Sequence, residues 1–259
     1  MRIVLLGTGN VATRLGLALK AKNSEIVQVF GRTETKASSL ATLLGCKFAT
    51  KTEEITTDAD IYILAVSDDA ITEMAANLFP VGDRLIVHTA GSTPMDVLAP
   101  FSANYGVLYP LQTLSLQKEV DFSKVPLCIE ANSHANLQKL SSLAQTISDQ
   151  VVMVDSDQRS QLHLAAVFVC NFVNHFYAIG EELVQEHHLD FGLLKPLILE
   201  TATKAMQFSP HTVQTGPAVR GNLTIMENHL KMLEQHPEWQ KIYELMSRDI
   251  SKKTLRPGD

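Results

Sequence analysis

The chain has 259 residues, of which 45% are hydrophobic and 19% charged, a composition that allows one or two folded domains and argues against intrinsic disorder. The formal net charge is −6 and the lysines and arginines are scattered, which argues against a nucleic-acid-binding surface. Three widely spaced cysteines, a start unlike a signal peptide and the lack of a membrane-length apolar run lead us to expect a soluble cytoplasmic protein with no membrane partner.

Short apolar segments alternate with helical patterns through the first 155 residues. The segments rich in Ile, Val and Leu, which we predict to be strands, are 3–6, 26–30, 61–66, 85–89, 107–109, 127–130 and 151–154. Helical periodicity lies between them at about 10–22, 33–44, 69–78 and 134–148. This alternation predicts an α/β fold with a doubly wound, mostly parallel sheet.

The pattern changes after Val154, where a sheet domain of residues 1–155 is predicted to give way to an all-helical domain of residues 156–259. Its helices are predicted at about 157–186, 190–208, 222–235 and 237–250, with Asp157 capping the first. That first helix is apolar on nearly all sides, and such a helix is normally buried. We therefore expect a homodimer through the helical domain, with a self-contained helical bundle as the alternative.

The segment Gly7–Ala12 fits the G-x-G-x-x-A motif of dinucleotide-binding proteins. It follows the first predicted strand directly and opens the first predicted helix, which is the setting that the motif requires. The first glycine permits a tight turn, the second lets the backbone approach a pyrophosphate, and the helix N-terminus offers free N–H groups. The residues predicted to bind the cofactor here are Gly7, Thr8, Gly9, Asn10 and Val11.

The end of the second predicted strand distinguishes NADP from NAD. An NAD site has an acidic residue there for the ribose 2′-hydroxyl, whereas this chain has no acid within Phe30–Thr33. Arg32 can bind a 2′-phosphate through two N–H groups, Thr33 can add a hydroxyl, and Lys36 lies one helical turn further on. We therefore predict that the cofactor is NADP, bound by Arg32 and Thr33.

Two further strand ends are expected beside the cofactor, because ligands of open α/β sheets bind at the carboxyl ends of strands. Asp68 and Asp69 follow one of these ends and suit either this site or the cap of the next helix. The residues assigned to the cofactor are Val66, Ser67, Thr89 and Ala90, and Ser92 is assigned to the substrate.

His163, Asn171 and Asn174 form a polar stripe on the long apolar helix. His163 is the natural proton donor, because histidine titrates near neutral pH. On a regular α-helix, Asn171 would point about 80° and Asn174 about 20° away from the direction of His163. We assign His163 and Asn171 to catalysis and Asn174 to substrate binding. The alternative is a set of buried polar groups bonded to backbone or to a partner helix.

Six segments spread over the chain carry a further signal. They are Gly7–Ala12, Phe30–Thr33, His88–Ser92, Tyr109–Thr113, His163–Ala166 with Asn171, and Thr215–Asn222. Together they resemble a family of NADP oxidoreductases that join a Rossmann domain to a C-terminal helical domain of unknown function. This family is distantly similar to pyrroline-5-carboxylate reductases and deazaflavin-dependent NADP oxidoreductases. The resemblance implies a helical dimerisation domain and a cleft between the two domains.

The chain departs from this family at two positions and from the related β-hydroxyacid dehydrogenases at a third. Tyr109 stands where family members often have His, Asn222 where they often have Asp, and Val167 where related hydroxyacid dehydrogenases have Lys. The missing lysine argues against simple hydroxyacid chemistry and leaves an imine or another carbonyl compound open. The segment Thr215–Gly221 resembles the segment that holds a substrate carboxylate in pyrroline-5-carboxylate reductases. Arg220 could therefore bind an anionic substrate, or form a structural salt bridge instead.

The remaining histidines lack metal-ligand spacing and no nucleophile motif is present, so we predict neither a metal site nor a hydrolase. The leading hypothesis is an NADP(H)-dependent oxidoreductase that acts on a small, anionic imine or carbonyl substrate. The alternatives are a deazaflavin-dependent NADP reductase and a non-catalytic NADP(H)-binding sensor or scaffold.

Overall fold

The computed structural model describes residues 1–78 and 84–254 and separates the chain into two compact units, Met1–Phe172 and the residues from Val173 onward. The first unit is an α/β unit and the second is helical. A helix begins at Ser156, next to the predicted domain boundary, but its residues up to Phe172 cluster with the sheet. The functional division into residues 1–155 and 156–259 stays a prediction.

The described residues of the first unit form one eight-stranded sheet of order β3-β2-β1-β4-β5-β6-β7-β8. Neighbouring strands are parallel except for β6 and β7. The predicted doubly wound, mostly parallel sheet is therefore confirmed. The strands are β1 Arg2–Leu6, β2 Glu25–Phe30, β3 Lys47–Ala49, β4 Ile61–Leu64, β5 Leu85–His88, β6 Tyr105–Pro110, β7 Leu127–Ala131 and β8 Val151–Met153.

Strand β3 is the one strand of the described sheet that the apolar pattern does not indicate. It lies at the edge of the sheet beside β2, and its Phe48 side chain is 43% exposed. An edge strand of three residues needs no continuous apolar run, so its sequence has no strand signature. Its carboxyl end nevertheless lies beside that of β2, which matters for the site.

Helices cover both faces of the sheet, because alternate residues of each central strand point to opposite sides. Ile3 and Leu5 pack with Leu15 on one face, whereas Val4 and Leu6 pack with Ile71 on the other. The helices of this unit are α1 Asn10–Ala21, α2 Glu34–Leu44, α3 Ile71–Ala76, α4 His134–Ile147 and α5 Ser156–Ala166. Asp155 caps α5 by accepting a 2.7 Å hydrogen bond from the Gln158 N–H, so the predicted cap Asp157 is wrong by two residues.

The chain leaves β1 toward β2 on one side and later returns to β4 on the other, so the direction of winding reverses between β1 and β4. A crevice forms at the carboxyl ends of the strands at such a reversal, and it is the usual ligand site of this architecture. The turns after β1, β2, β4, β5 and β6 all belong to this edge, because these strands are parallel.

Helix α5 continues through a π-helical segment, Val167–Phe172, into the second unit. That unit contains α6 Val173–Glu186, α7 Lys195–Gln207, α8 Leu223–Met232 and α9 Pro237–Thr254. Within the described ranges, one helix, Ser156–Glu186, is long and apolar enough to cross a membrane by length and composition. None of the residues in its most apolar window is buried, so this helix keeps a large apolar surface open.

Candidate active site

Two glycines shape the turn after β1. Gly7 has a φ of 124°, which side chains rarely adopt, and a Cβ there would lie 2.2 Å from the Ala65 carbonyl oxygen. A Cβ on Gly9 would meet nothing within 4 Å, so the space above this backbone is open. Gly9 is also the N-cap of α1, and it has no side chain that could accept a hydrogen bond from the helix. The first N–H groups of α1 are therefore left without a cap, which fits a bound pyrophosphate.

A cavity of about 670 Å³ lies beside this turn and is within the size range of small-ligand and cofactor sites. Residues after β1, β2, β3 and β4 line one part of it, and the helix α3 lines another. The predicted cofactor-binding residues that it brings together are Gly7, Thr8, Gly9, Arg32, Val66 and Ser67.

One wall of this cavity is formed by the residues Thr50–Glu53, which the sequence did not indicate as part of the site. They lie there because Phe30 of β2 pairs with Ala49 of β3, and the Gly31 N–H donates to the Ala49 carbonyl at 3.1 Å. The signal that could have found them is Gly45, which ends α2 in a left-handed conformation shortly before β3. Lys51 adds a cation to that of Arg32, and Glu53 adds a carboxylate.

The predicted cofactor residue Asn10 is engaged with a distant loop. Its side-chain amide donates to the Leu114 carbonyl at 3.0 Å, and Arg14, one helical turn later, donates to the carbonyls of Ser115 and Leu116 at 2.8 and 2.9 Å. These three bonds hold the loop after β6 on the N-terminal turn of α1. Val11 packs partly against the apolar core.

Lys36 and Thr33, the other residues predicted to contact a 2′-phosphate, do not line the cavity that Arg32 lines. Lys36 and Asn10 line a second cavity of about 520 Å³, which shares Thr8 and Gly9 with the first. Thr33 is the N-cap of α2 and makes no side-chain cap bond. The turn thus separates two spaces, with Arg32 at one and Lys36 at the other.

The ends of β4 and β5 are tied together by a carboxylate. Asp68 Oδ2 accepts hydrogen bonds from the hydroxyls of Ser92 at 2.8 Å and Thr93 at 3.2 Å. The predicted substrate residue Ser92 therefore uses its hydroxyl on Asp68. Asp68 opens a short helical turn whose N-cap is Ser67, so the alternative that Asp68 or Asp69 caps the next helix is wrong. The Asp68 side chain bonds the neighbouring strand end instead.

The residues that follow β5 are bonded internally. The Thr89 N–H donates to the Leu64 carbonyl at 3.2 Å, and the Ala90 N–H donates to Nδ1 of His88 at 3.2 Å. Burial, helped by the positive charge of Arg159, lowers the pKa of His88 to about 4. His88 is therefore a neutral, fully buried side chain at pH 7 that shapes this strand end.

His163 lies at this edge of the sheet. Its Nδ1 is 3.0 Å from the hydroxyl oxygen of Tyr109, and the two rings meet edge to face with centroids 5.9 Å apart. Its imidazole also packs on Gly91, where a Cβ would lie only 2.6 to 2.9 Å from the nearest His163 atoms. The half-buried His163 is thus placed between the end of β5 and the end of β6.

A buried ion pair holds the helix that carries His163. Arg159, one helical turn before His163, is fully buried, and its Nη1 pairs with Glu130 of β7. Its Nη2 donates to the Thr93 carbonyl at 2.6 Å. Glu130 also accepts from the Ser156 N–H at 3.0 Å. The first turn of α5 is therefore fixed to β7 and to the loop after β5.

The remaining predicted site residues lie further along the chain. Asn171 is exposed within the π-helical segment, so the angle of about 80° from His163 that a regular α-helix would give does not apply. Asn174 and Arg220 are exposed side chains of the second unit. Asn222 caps α8 by accepting from the Ile225 N–H at 3.2 Å, so this departure from the relatives keeps a capping side chain.

Two family models match the chain. Residues 2–91 match the family described as NADP oxidoreductase, coenzyme F420-dependent, and residues 125–250 match a domain of unknown function. A comparison with curated proteins gives no match.

In the part of the chain that the structure describes, no group of three or more His, Cys, Asp or Glu could hold a metal ion.

Solved structures extend the comparison over nearly the whole chain. A "putative NADP oxidoreductase" from Bacteroides fragilis is 45% identical, with 97% of this chain and 98% of that chain covered and a TM-score of 0.93. A reductive aminase from Aspergillus terreus, solved with NADPH and ethyl-5-oxohexanoate, is 15% identical, with 97% of each chain covered and a TM-score of 0.69. A pyrroline-5-carboxylate reductase from Coxiella burnetii is 16% identical, with 97% and 96% covered and a TM-score of 0.60.

The last two likenesses show a shared fold, whereas the first shows a shared family. The family models describe the same two parts of the chain that the sequence resemblance indicated. The chain belongs to the NADP oxidoreductase family of the Bacteroides fragilis protein and is an oxidoreductase that binds NAD(P).

Proposed function

We propose that the protein is an NADPH-dependent reductase of a small imine or carbonyl compound, in which His163 polarises or protonates the substrate. The observation that carries this proposal is the position of His163, against Gly91 at the end of β5 and bonded to Tyr109 at the end of β6. These strand ends share one edge of the sheet with the turn Gly7–Gly9, where the pyrophosphate of a dinucleotide is expected.

A bound NADPH supplies the hydride, and the protein supplies binding, orientation and the proton. The N-terminal turn of α1 and the glycines before it bind the pyrophosphate. Gly91 gives His163 room, and Tyr109 holds its Nδ1, so that Nε2 is the nitrogen left to face a substrate. Asn171 is the second residue that we assign to the substrate's reacting end.

The preference for NADPH over NADH rests on Arg32. It lines the 670 Å³ cavity directly after β2, where an NAD site would have an acidic residue. Its guanidinium can form two charge-assisted bonds to a 2′-phosphate, and Thr33 and Lys36 follow it at the start of α2. Glu53 and Glu73 line the same cavity and oppose a second negative charge, so the preference depends on Arg32 being close to the phosphate.

The proposed substrate class, an imine, is supported by what the structural relatives are named for. The names of the reductive aminase and the pyrroline-5-carboxylate reductase both concern carbon–nitrogen bonds, which supports an imine as the first compound to test. Arg220 is an exposed cation in the turn before α8, which supports an anionic substrate, with Asn174 and Ser92 as further substrate-binding residues.

We extend the proposal to a cytoplasmic homodimer formed through the helical region. The support is the apolar surface that this region leaves open, including Val169 at 74%, Leu199 at 69% and Met206 at 87% exposure. A second copy of the chain would cover it. Light scattering should then give about twice the monomer mass of 28.5 kDa, and a monomer at micromolar concentration would contradict this part.

The experiment that tests the function is a fluorescence titration with NADPH and NADH, followed by an assay of NADPH oxidation with pyrroline-5-carboxylate, a small anionic imine. Arg32→Ala should weaken NADPH binding by ~1.5–3 kcal/mol and change NADH binding little, because a charge-assisted bond to the 2′-phosphate is lost. Lys22→Ala, which removes an exposed cation after α1, is the control. Equal losses for both cofactors would contradict the role of Arg32.

The same assay tests His163. His163→Gln should keep NADPH affinity and lose imine reduction, because an amide N–H does not provide the proton that the imidazole gives to the substrate. Unchanged turnover in this variant would remove His163 from the chemistry.

A second candidate function has one specific support. The family model over residues 2–91 describes coenzyme F420-dependent enzymes, and F420 is a deazaflavin. In this version the hydride passes between NADPH and the deazaflavin instead of an imine. Bleaching of the deazaflavin absorbance by NADPH and the protein would favour this candidate, and no bleaching beside imine turnover would favour the first.

A further inference from the structure

We propose that Tyr109 and His163 form a two-residue proton relay, in which the Tyr109 hydroxyl donates to Nδ1 and keeps the proton of the neutral imidazole on Nε2. This inference rests on the proposed function and assigns a role to Tyr109, which stands where the relatives often have His. Tyr109 acts through His163 and is therefore a positioning residue.

The imidazole has little freedom to leave this arrangement. Its Nδ1 lies 3.0 Å from the Tyr109 hydroxyl oxygen, which is a hydrogen-bond distance. The rings are inclined by 74°, an edge-to-face contact that fixes the tilt of the imidazole. The backbone of Gly91 closes one side, because even a methyl group there would come within 2.6 Å of Nδ1.

The direction of the hydrogen bond follows from which group holds its proton. Burial raises the pKa of Tyr109 to about 12, with the Cys128 thiol and the Asp68 carboxylate acting in the same direction and Arg159 against it. The phenol therefore keeps its proton at pH 7 and can donate it to an unprotonated Nδ1. A neutral histidine whose Nδ1 accepts carries its proton on Nε2.

The other nitrogen is left for the substrate. Among the described residues no group hydrogen-bonds Nε2 of His163, and the side chain is only half buried. In the relay, the Nε2–H bond breaks as its proton passes to the nitrogen of the imine, whose carbon receives the hydride of NADPH. The Tyr109 O–H bond breaks as its proton passes to Nδ1, and the resulting phenolate regains a proton from water.

The relay has a consequence that a single histidine lacks. The imidazole carries one proton before and after the step, so it never needs to be an imidazolium. A histidine without such a partner must carry two protons to act as an acid, and histidine ordinarily gives up the second near pH 6.5. The charged or titratable groups that act on Tyr109 are Cys128, Asp68 and Arg159.

The first test needs no substrate. Histidine ¹⁵N NMR of the full-length protein with NADP⁺ bound reports which ring nitrogen carries the proton, and loss of a signal in His163→Gln assigns the residue. We expect a proton on Nε2 and an accepting Nδ1 in the unmodified protein. A proton on Nδ1 would overturn the proposal, and this measurement requires no variant of Tyr109 to fold.

The second test compares two tyrosines of the same strand. Tyr109→Phe should give an averaged mixture of both tautomers, whereas Tyr105→Phe, whose hydroxyl contacts Asp96 at 3.4 Å, should leave the His163 signals unchanged. An unaltered tautomer in Tyr109→Phe would show that the hydroxyl does not select it.

The third test follows the pH dependence of pyrroline-5-carboxylate reduction from about pH 6 to about pH 9. The unmodified protein should keep a nearly constant rate, whereas the rate of Tyr109→Phe should fall as the pH rises, because this variant needs an imidazolium to protonate the substrate. Profiles of the same shape would overturn the relay. Absence of turnover in every form would contradict the proposed function, while the NMR result would still decide the tautomer.

Discussion

The turn Gly7–Gly9 and the Tyr109–His163 pair lie at the same edge of one sheet, but they are built in different ways. The turn consists of consecutive residues. Its expected function, binding a pyrophosphate, depends on backbone N–H groups and on glycines that leave room for the ligand. The pair joins residues 54 positions apart, and it depends on side-chain contacts. A site made of backbone is visible as a motif, whereas a site made of side chains from distant segments appears only after folding.

The two regions also differ in how they are held. The turn is fixed by backbone contacts with the neighbouring strands, since the Gly7 N–H donates to the Phe30 carbonyl at 2.8 Å and Gly7 lies close against the Ala65 carbonyl. His163 depends on a chain of support, because its helix is anchored by Arg159, which is paired with Glu130. Changes far from His163 should therefore disturb the pair more than comparable changes disturb the turn.

The largest expected effect tests this support. Glu130→Ala leaves the buried guanidinium of Arg159 without its ion partner and should lower the free energy of unfolding by ~3–5 kcal/mol. Chemical denaturation measures it. Glu200→Ala, which breaks an exposed pair with Lys204, should cost ~0.5 kcal/mol or less. A loss below ~1 kcal/mol in Glu130→Ala would mean that α5 is held by something else.

The next effect concerns His88, which lies just before the loop that packs on His163. Its pKa is lowered to about 4 in the folded chain, so folding excludes a proton that the unfolded chain binds below pH 6.5. Stability should be unaffected by His88 above pH 6.5 and should fall by about 3 kcal/mol as the pH drops to 4. Urea unfolding at several pH values measures this. In His88→Gln that part of the decline should vanish, and parallel curves would contradict it.

The smallest effects come from a matched pair of glycines, one in each region. Gly91→Ala places a methyl group against the His163 ring and should cost ~1–3 kcal/mol of stability while NADPH still binds. Gly9→Ala meets no atom within 4 Å, so stability should change by ~0.5 kcal/mol or less while NADPH affinity drops about tenfold. Thermal unfolding and NADPH titration of both variants make the comparison, and the reverse pattern would contradict it.

Much of the fold could be predicted because its signals are local. The apolar runs of β1, β4 and β5 and the periodicity of α1 are properties of consecutive residues. Strand β3 could not be predicted, because three edge residues bury too little to require an apolar pattern. The antiparallel direction of β7 also has no sequence signature, since an apolar strand looks the same in either direction.

The candidate site also has one part that local sequence predicts and one part that depends on the fold. The motif around Gly7 and the position of Arg32 follow from local sequence, and both line one cavity. The bond from Tyr109 to His163 could not be predicted, because it depends on the order of strands and on where α5 crosses them. The neutral state of His88 could not be predicted from the sequence either, because it is determined by burial and not by residue type.

The loop after β6 adds a constraint on how this protein can vary. Asn10 and Arg14 hold it by the backbone carbonyls of Leu114, Ser115 and Leu116, and the Leu116 side chain is 57% exposed. Any residue has a carbonyl, so substitutions at Ser115 and Leu116 should be tolerated over evolution. An insertion or deletion would shift every carbonyl out of reach. Relatives should therefore differ in the composition of this loop far more than in its length.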